Sequence, residues 1–244
     1  MLRTRNVYSR GSTKKFRISR SKVDDFINCP RCFWLDRVKG VDRTRTPTFA
    51  INNAVDRLLK NEFDIYREKG EPHPIMVENN LKALPYEHPD LEEWRESLRH
   101  GVKRYHEETN LILRGGLDDL WINTETKKII VVDYKATSKK GEVSIDADWQ
   151  IGYKRQIEFY QWLLRGNSFD VSDIGYFVYC NGISEKDEFN NLLEFKTKLI
   201  PYKGNDAWVE PTLMEVKETL LQDSPPDADP KCSYCAYVKK TLMI

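Results

Sequence analysis

The middle of the chain alternates between apolar runs and short polar stretches. The continuous apolar run Ile129-Ile130-Val131-Val132 is typical of a strand that is buried on both faces. A polar turn at 123–126 separates this run from residues 111–122, which predict the preceding strand of a hairpin. We therefore expect two paired strands, with Asp118 near the middle of the first and Asp133-Tyr134-Lys135 at the end of the second.

Apolar residues at helical spacing predict helices before and after this hairpin. Residues 19–38 predict a helix that Pro30 interrupts. Residues 48–66 predict a second helix, whose apolar stripe comprises Ile51, Ala54, Val55, Leu58, Leu59 and Phe63. Further helices are predicted over 90–109, 149–165 and 207–222, and further strands over 174–179 and 191–201. The strand at 174–179 is expected to run parallel to the strand that carries Asp133, because a helical crossover joins the two.

These elements divide the chain into four consecutive segments. We expect a basic N-terminal arm at 1–18, a helical subdomain at 19–110, an α/β core at 111–222 and a C-terminal clasp at 223–244. The helical subdomain contains a first pair of cysteines and the clasp contains a second pair. A length of 244 residues is sufficient for one sizeable core with such an added subdomain.

Composition adds few constraints. The hydrophobic share of 40% and the charged share of 32% are those of an ordinary globular protein. No apolar run approaches the roughly 20 residues that span a bilayer, and the N-terminus lacks the apolar stretch of a signal peptide. We therefore expect a cytoplasmic protein with no membrane partner.

The net charge of +1 does not indicate a polyanion partner. Residues 1–22, however, are basic and contain no acidic residue. This segment either lies along phosphates or forms a solvated terminus.

The end of the second strand carries the first candidate chemistry. Side chains alternate along a strand, so Asp133 and Lys135 project to one face and Tyr134 to the other. A buried Asp and Lys are costly unless they have partners, and a divalent cation is a natural partner for the carboxylate. Taken alone, the Asp-x-Lys pattern is more typical of a solvated strand edge than of a functional site.

Three motifs in a fixed order favour the cation. Gly115-Gly116-Leu117-Asp118 followed by Asp133-Tyr134-Lys135 resembles the G-x-h-D and D-Y-K motifs of the RecB-like branch of the PD-(D/E)XK nuclease superfamily. On the following helix, Gln156-x-x-x-Tyr160 matches the third motif of that branch, Q-x-x-x-Y. The resemblance extends from Cys29 to Cys235. It implies an α/β fold, in which a nuclease core with a mixed central sheet flanked by helices carries an N-terminal helical subdomain and a Cys-clasped C-terminus.

The resemblance also implies a Mg²⁺ or Mn²⁺ site that hydrolyses phosphodiester bonds. Asp118 and Asp133 would hold the ion or ions, and the backbone carbonyl of Tyr134 would add a ligand. Lys135 would position the attacking water or neutralise the charge that develops on the phosphate. Asp119 is the rival of Asp118, but the G-x-h-D spacing favours Asp118.

Three residues outside the hairpin complete the expected site. Gln156 and Tyr160 share one helix face and would support a phosphate or a metal-bound water. Asp56, in Asn53-Ala54-Val55-Asp56, stands where the resembling family carries a metal-binding His. A carboxylate suits Mg²⁺ or Mn²⁺ at least as well as imidazole does. Asp56 is therefore either a third metal ligand or a solvent-facing acid at the edge of the apolar stripe.

The cysteines form a second constellation. Cys29 and Cys32 make one C-x₂-C pair, Cys232 and Cys235 make another, and together they predict a tetrahedral Zn²⁺ site. The segment SKVDDFINCPRCFWLDRVKG also resembles the N-terminal signature of the iron–sulfur nucleases of CRISPR adaptation and of the AddB type, in which a cysteine precedes Pro-Arg and an aromatic pair. This resemblance implies a 4Fe–4S cluster instead. Those nucleases combine one N-terminal cysteine with three C-terminal ones, so here Cys32 would replace a missing C-terminal ligand. Cys180 is expected to be a small buried hydrophobe.

The leading functional hypothesis is a metal-dependent DNA nuclease. The resemblance implies an exonuclease that acts on single strands or DNA ends, in DNA processing, repair, recombination or CRISPR adaptation, with proteins of those systems as partners. The alternative is a catalytically silent DNA-binding or scaffold subunit that retains the fold. A zinc-clasped RNA-binding module has little support, because no basic pattern interleaved with aromatic residues stands out.

Overall fold

The computed structural model describes residues 4–43 and 49–243. Residues 1–3 of the expected arm, residue 244 of the expected clasp and Thr48, where the sequence predicts the second helix to begin, lie outside this part. The strands are β1 (Phe16–Ser19), β2 (Ala83–Pro85), β3 (Val102–His106), β4 (Leu111–Gly115), β5 (Asp119–Asn123), β6 (Ile129–Thr137), β7 (Ile174–Gly182) and β8 (Phe195–Lys203). The helices are α1 (Arg20–Asn28), α2 (Pro30–Lys39), α3 (Ala50–Lys69), α4 (Pro74–Glu78), α5 (Leu91–Arg95), α6 (Ile151–Gly166), α7 (Val209–Leu221) and α8 (Ser233–Thr241).

The chain forms two compact units. The first unit comprises Met1–Thr46, Lys103–Gly115 and Ala207–Ile244, and the second comprises Pro47–Val102 and Gly116–Asp206. A three-stranded sheet has the order β1-β4-β3, with β1 and β4 parallel. The second unit contains a five-stranded mixed sheet of the order β2-β5-β6-β7-β8. Mixed sheets flanked by helices, with helices near the N-terminus, confirm the predicted α/β class.

The five-stranded sheet contains the predicted hairpin and crossover. β5 and β6 pair antiparallel, with Asp119 opposite Val132. β6 and β7 pair in parallel, with Lys135 opposite Tyr179, and α6 lies between them in sequence. Both the hairpin and the parallel crossover are therefore confirmed.

Helix α3 packs against β6 and buries aromatic rings there. The ring of Phe63 stacks on Trp121 at 5.3 Å between centroids and on Tyr134 at 5.7 Å. Ile130, Val132 and Tyr134 alternate along β6 and belong to this same apolar cluster. Cys180 is also buried in it, as predicted for a small hydrophobe.

Only part of the predicted stripe on α3 faces this core. Leu59 and Phe63 are buried, but Ile51 and Leu58 are exposed. The buried positions are spaced by four residues and face the sheet, whereas Leu58 lies about 100° around the helix from Leu59. Apolar residues on a helix do not by themselves show how wide the buried face is.

Two further predictions of secondary structure are wrong. The helix predicted over 90–109 is limited to α5, and β3 follows it. Val102 and His106 are buried four residues apart, a spacing that suits one face of a helix and one face of a strand equally. Residues 111–122 form two strands, because β4 pairs with β1 while β5 pairs with β6. Asp118 consequently lies just before β5 and not within a strand.

One basic side chain of the N-terminal stretch, Lys22, forms ion pairs within the protein. Lys22 is buried in α1, where its ammonium contacts Asp36 at 2.6 Å, Asp25 at 3.0 Å and Asp42 at 3.4 Å. Lys22 is therefore committed to carboxylates of its own unit and does not belong to a phosphate-binding arm. Among the described residues, no helix is both long enough and apolar enough to cross a membrane.

Gly175 allows α6 to approach the sheet closely. A Cβ atom at Gly175 would lie 2.7 Å from Cγ2 of Ile157 and 2.9 Å from the carbonyl oxygen of Val131. We predict that Gly175→Ala lowers the free energy of unfolding by roughly 1–3 kcal/mol, as overpacking does. Gly182→Ala on the same strand is the control, because its new Cβ would meet neighbours at ordinary distances of 3.4–3.6 Å. Equal melting temperatures for the two variants would contradict this packing.

Candidate active site and cysteine cluster

A buried ion pair lies on one face of β6. The ammonium of Lys135 contacts the carboxylate of Asp133, which is fully buried. Burial alone would lower the pKa of Lys135, but Asp133 and then Asp118 outweigh burial and raise it. Lys135 is therefore a protonated ammonium at neutral pH, suited to stabilising negative charge and not to accepting a proton.

Asp118 is held beside this pair by the backbone. Oδ2 of Asp118 accepts a hydrogen bond of 2.9 Å from the backbone N–H of Tyr134, the residue between Asp133 and Lys135. The side chain of Asp118 stays partly exposed. The structure thus brings Asp118, Asp133 and Lys135 together, as the two sequence motifs predict. Tyr134 can offer the site only its backbone, because its ring packs on the opposite face.

Asp119 has a different environment from Asp118. It is fully buried and is surrounded by four donors. Arg67 forms an ion pair with it, and the other donors are Arg95 Nη2 at 2.8 Å, the Tyr134 hydroxyl at 2.8 Å and Trp121 Nε1 at 3.3 Å. Burial and the neighbouring Asp119 raise the pKa of Tyr134, so that its hydroxyl remains a donor. Asp119 is therefore a buried structural anion, and its neighbour faces the candidate site.

The ammonium of Lys60 lies between the carboxylates of Asp56 and Asp118. The Asp56 side chain on α3 is 38% exposed, and the Lys60 ammonium lies 2.8 Å from Asp56 Oδ2 and 3.9 Å from Asp118 Oδ1. Burial and the negative charge of Asp118 raise the pKa of Asp56. Asp56 therefore shares the electrostatic environment of the site. Sequence reasoning missed Lys60, although its i, i+4 spacing from Asp56 on the predicted helix was a usable signal.

Tyr160 contacts the loop that carries Asp118, and Gln156 lies next to Tyr160. The hydroxyl of Tyr160 donates to the carbonyl of Gly116, and Gln156 Nε2 lies 3.5 Å from that hydroxyl. A Cβ at Gly116 would lie 2.5 Å from Cα of Ser97, so this loop also requires a glycine. The third motif thus contacts the first motif directly. Tyr153 lies one turn earlier, and no role was predicted for it from the sequence. The Lys135 ammonium lies 4.6 Å from the centroid of its ring.

The donor set at this site suits Mg²⁺ or Mn²⁺. Both ions prefer carboxylate oxygens and water, and Mg²⁺ commonly uses only one or two protein carboxylates. Asp118 and Asp133 supply two carboxylates, and the crowding that raises the pKa of Asp56 would be relieved by a divalent cation. The three Asp side chains are not gathered tightly, since the one group of ligating side chains within 4.8 Å of one another in the described ranges consists of cysteines.

That cysteine group is built by two similar helix starts. Cys29 precedes α2 and Cys32 lies in its first turn, while Cys232 precedes α8 and Cys235 lies in its first turn. The Sγ atoms are 3.8 Å apart for Cys29 and Cys235, 3.6 Å for Cys32 and Cys232, and 3.5 Å for Cys32 and Cys235. Helix N-termini favour thiolates, but burial opposes ionisation of these sulfurs.

The thiols influence each other strongly. Burial, followed by hydrogen bonds from Cys235 and Cys232, raises the pKa of Cys32. Burial also raises the pKa of Cys235 to about 11. Burial opposes ionisation of Cys232, but hydrogen bonds led by the backbone of Cys235 outweigh it and lower that pKa. A metal centre would allow all four sulfurs to be thiolates together.

The sulfur spacing can be compared with the two candidate centres. A Zn–S distance of 2.3 Å in a tetrahedral site corresponds to sulfur atoms about 3.8 Å apart, which matches the observed distances. Four thiolates also match the ligand set of a 4Fe–4S cluster. The four irons of a cluster hold their thiolates farther apart, so the cysteine side chains would have to separate to accept it.

The contrast between Asp118 and Asp119 gives a stability test. We predict that Asp119→Asn lowers the free energy of unfolding by about 3–5 kcal/mol, because Arg67 and Arg95 lose a buried counter-charge. Asp118→Asn is the matched control and should cost less than about 1 kcal/mol, because the amide oxygen can still accept from Tyr134. Thermal and urea denaturation measure both variants. A larger loss for Asp118→Asn would contradict the assignment.

Comparison with known proteins addresses the family to which the chain belongs. A family model of the PD-(D/E)XK nuclease superfamily matches residues 17–239. The crystal structure of SSO0001 shares 16% sequence identity with the chain at a TM-score of 0.39, with 93% of this chain and 86% of that chain covered. No curated protein sequence matches the chain. The family match covers nearly the whole sequence, and the chain belongs to the PD-(D/E)XK nuclease superfamily, whose nucleases hydrolyse phosphodiester bonds.

Proposed function

We propose that this protein is a Mg²⁺- or Mn²⁺-dependent deoxyribonuclease. The observation that carries the proposal is the grouping of Asp118, Asp133 and Lys135 at β6. The Tyr134 N–H holds the first carboxylate, and Lys135 is paired with the second. Superfamily membership supports phosphodiester hydrolysis, and the choice of DNA as substrate is part of the proposal.

Each residue has a distinct role in this mechanism. Asp118 and Asp133 would hold the divalent ion, which when bound supplies an activated water and charge relief at the phosphate. Asp56 would complete the carboxylate shell, and the Tyr134 carbonyl is a further candidate ligand. The protonated Lys135 stabilises the negative charge that develops on the phosphate.

Gln156 and Tyr160 act through the backbone. Tyr160 holds the carbonyl of Gly116, two residues before Asp118, and Gln156 lies beside its hydroxyl. They thereby fix the direction of the Asp118 carboxylate against β6. A misplacement of about 1 Å in such a group can cost two orders of magnitude in rate.

We further propose action on single strands or DNA ends, in DNA processing, repair, recombination or CRISPR adaptation. The RecB-like order of the three motifs supports this narrower assignment. The alternative, a catalytically silent DNA-binding subunit, is disfavoured because both carboxylates and the lysine are present and adjacent.

Cleavage assays separate the two functions. Wild type should degrade end-labelled single- or double-stranded DNA with Mg²⁺ or Mn²⁺. Asp133→Asn and Lys135→Met should each slow cleavage by about 100-fold or more, because each removes a group that acts on the reacting phosphate or its ion. Lys128→Met is the matched control, since Lys128 lies just before β6 and is exposed. Equal inactivity of wild type and both variants over all metals and ends would leave only the silent subunit.

We propose that Cys29, Cys32, Cys232 and Cys235 hold a structural metal centre that clasps α2 to α8. Either a 4Fe–4S cluster, which the resemblance to iron–sulfur nucleases supports, or one Zn²⁺, which the sulfur spacing supports, satisfies four thiolates. In both cases the centre links the N-terminal and C-terminal segments of the first unit. Its contribution is therefore to stability and not to the hydrolytic step.

Metal analysis of anaerobically purified protein decides between the two centres. A brown protein that absorbs near roughly 400 nm contains an iron–sulfur cluster, whereas a colourless protein with one zinc per chain contains Zn²⁺. Cys235→Ser should lose the metal and lower the Tm by roughly 5 °C or more. Cys180→Ser is the control and should retain it, because Cys180 is remote from the cluster in sequence and packs on Thr197. Wild type with neither iron nor zinc would contradict a metal centre.

A further inference from the structure

Trp149 is an exposed aromatic residue on a fixed turn. It lies in the single 3₁₀ turn Asp148–Gln150 that precedes α6, and 68% of its surface is exposed. The next residue, Gln150, is buried, and its side chain accepts from the N–H of Ala147 at 3.0 Å and donates to the carbonyl of Ser144 at 2.7 Å. The backbone that carries the indole is therefore anchored, although the indole itself projects to solvent.

Two paths of contact connect this turn to the candidate active site. The Trp149 ring packs edge-to-face on Tyr153, with 5.6 Å between centroids, and the Lys135 ammonium lies 4.6 Å from the Tyr153 centroid. Independently, the Gln150 side chain lies close to Tyr179, which is the register partner of Lys135 on β7. The exposed indole is thus only one ring away from the lysine that would face the scissile phosphate.

Position is what distinguishes Trp149 from other exposed apolar residues. Single exposed hydrophobic side chains are common on protein surfaces and need no ligand. An exposed indole on an anchored turn, next to a cationic site, resembles part of a single-strand binding surface. In such surfaces, basic groups contact phosphates and aromatic rings stack on bases. Phe189 is exposed to a similar extent, 70%, and lies in the connection between β7 and β8, so it provides an internal comparison.

We propose that Trp149 stacks on the base of a nucleotide next to the scissile phosphate. Bases inside a duplex already have both faces stacked on their neighbours, so this contact requires an unpaired base or a base at a duplex end. The site would therefore select single-stranded DNA or a frayed end over the interior of a duplex. This inference rests on the proposed nuclease function, and it names the substrate feature that the site recognises.

Cleavage of a labelled single strand tests the stacking contact. Trp149→Ala should lower kcat/KM by about 5- to 150-fold, the range of base–aromatic stacking. Trp149→Phe should retain most of the activity because it keeps a ring, and Phe189→Ala should behave as wild type. Equal kcat/KM for wild type and Trp149→Ala would overturn the proposal, and so would an equal loss in Phe189→Ala.

Strands with one abasic residue give a second readout that a purely structural role would not produce. Wild type should be slowed most when the abasic residue occupies one position relative to the cut, because the stacking base is then missing. Trp149→Ala should be insensitive at that position, since both changes remove the same contact. Equal sensitivity of wild type and Trp149→Ala at every position would overturn the stacking. A wild type that cleaves no strand would instead contradict the nuclease function itself.

Discussion

The burial of charge along β6 constrains the second unit more than any other feature. A buried carboxylate is tolerated only with cationic or hydrogen-bonding partners. Asp119 meets this requirement with Arg67 and Arg95 on one side of the sheet, and Asp133 meets it with Lys135 on the other. The register that pairs Asp119 with Val132 therefore could not shift by one residue without placing both acids among the wrong neighbours.

Strand β6 contributes both to the buried structural network around Asp119 and to the candidate active site. Tyr134 turns its hydroxyl to the buried Asp119 and its backbone N–H to Asp118. One residue thereby links the structural anion to the proposed metal ligand Asp118. Loss of the Asp119 network would consequently disturb the candidate site even though Asp119 faces away from it.

The cysteine cluster is formed at the N-terminal ends of two helices. Cys29 and Cys232 each precede a helix, so two short C-x₂-C segments distant in sequence present their sulfurs from similar first turns. The proximity of the sulfurs depends on how α2 and α8 meet within the first unit. The local spacing of the cysteines sets only the direction of each pair.

The amino-acid sequence by itself determined the hairpin, the parallel crossover and the alternation of Asp133 and Tyr134, because these follow from short-range periodicity. It also indicated two C-x₂-C pairs, whereas their meeting in one cluster depends on the packing of α2 and α8. It did not determine where residues 111–122 divide between two sheets or that residues 102–106 form a strand, since long-range strand pairing overrides local pattern. Only the tertiary structure brought Lys60 to Asp118, and the ring of Tyr153 to the ammonium of Lys135. Such contacts join residues that are distant along the chain, and no local rule of sequence encodes them.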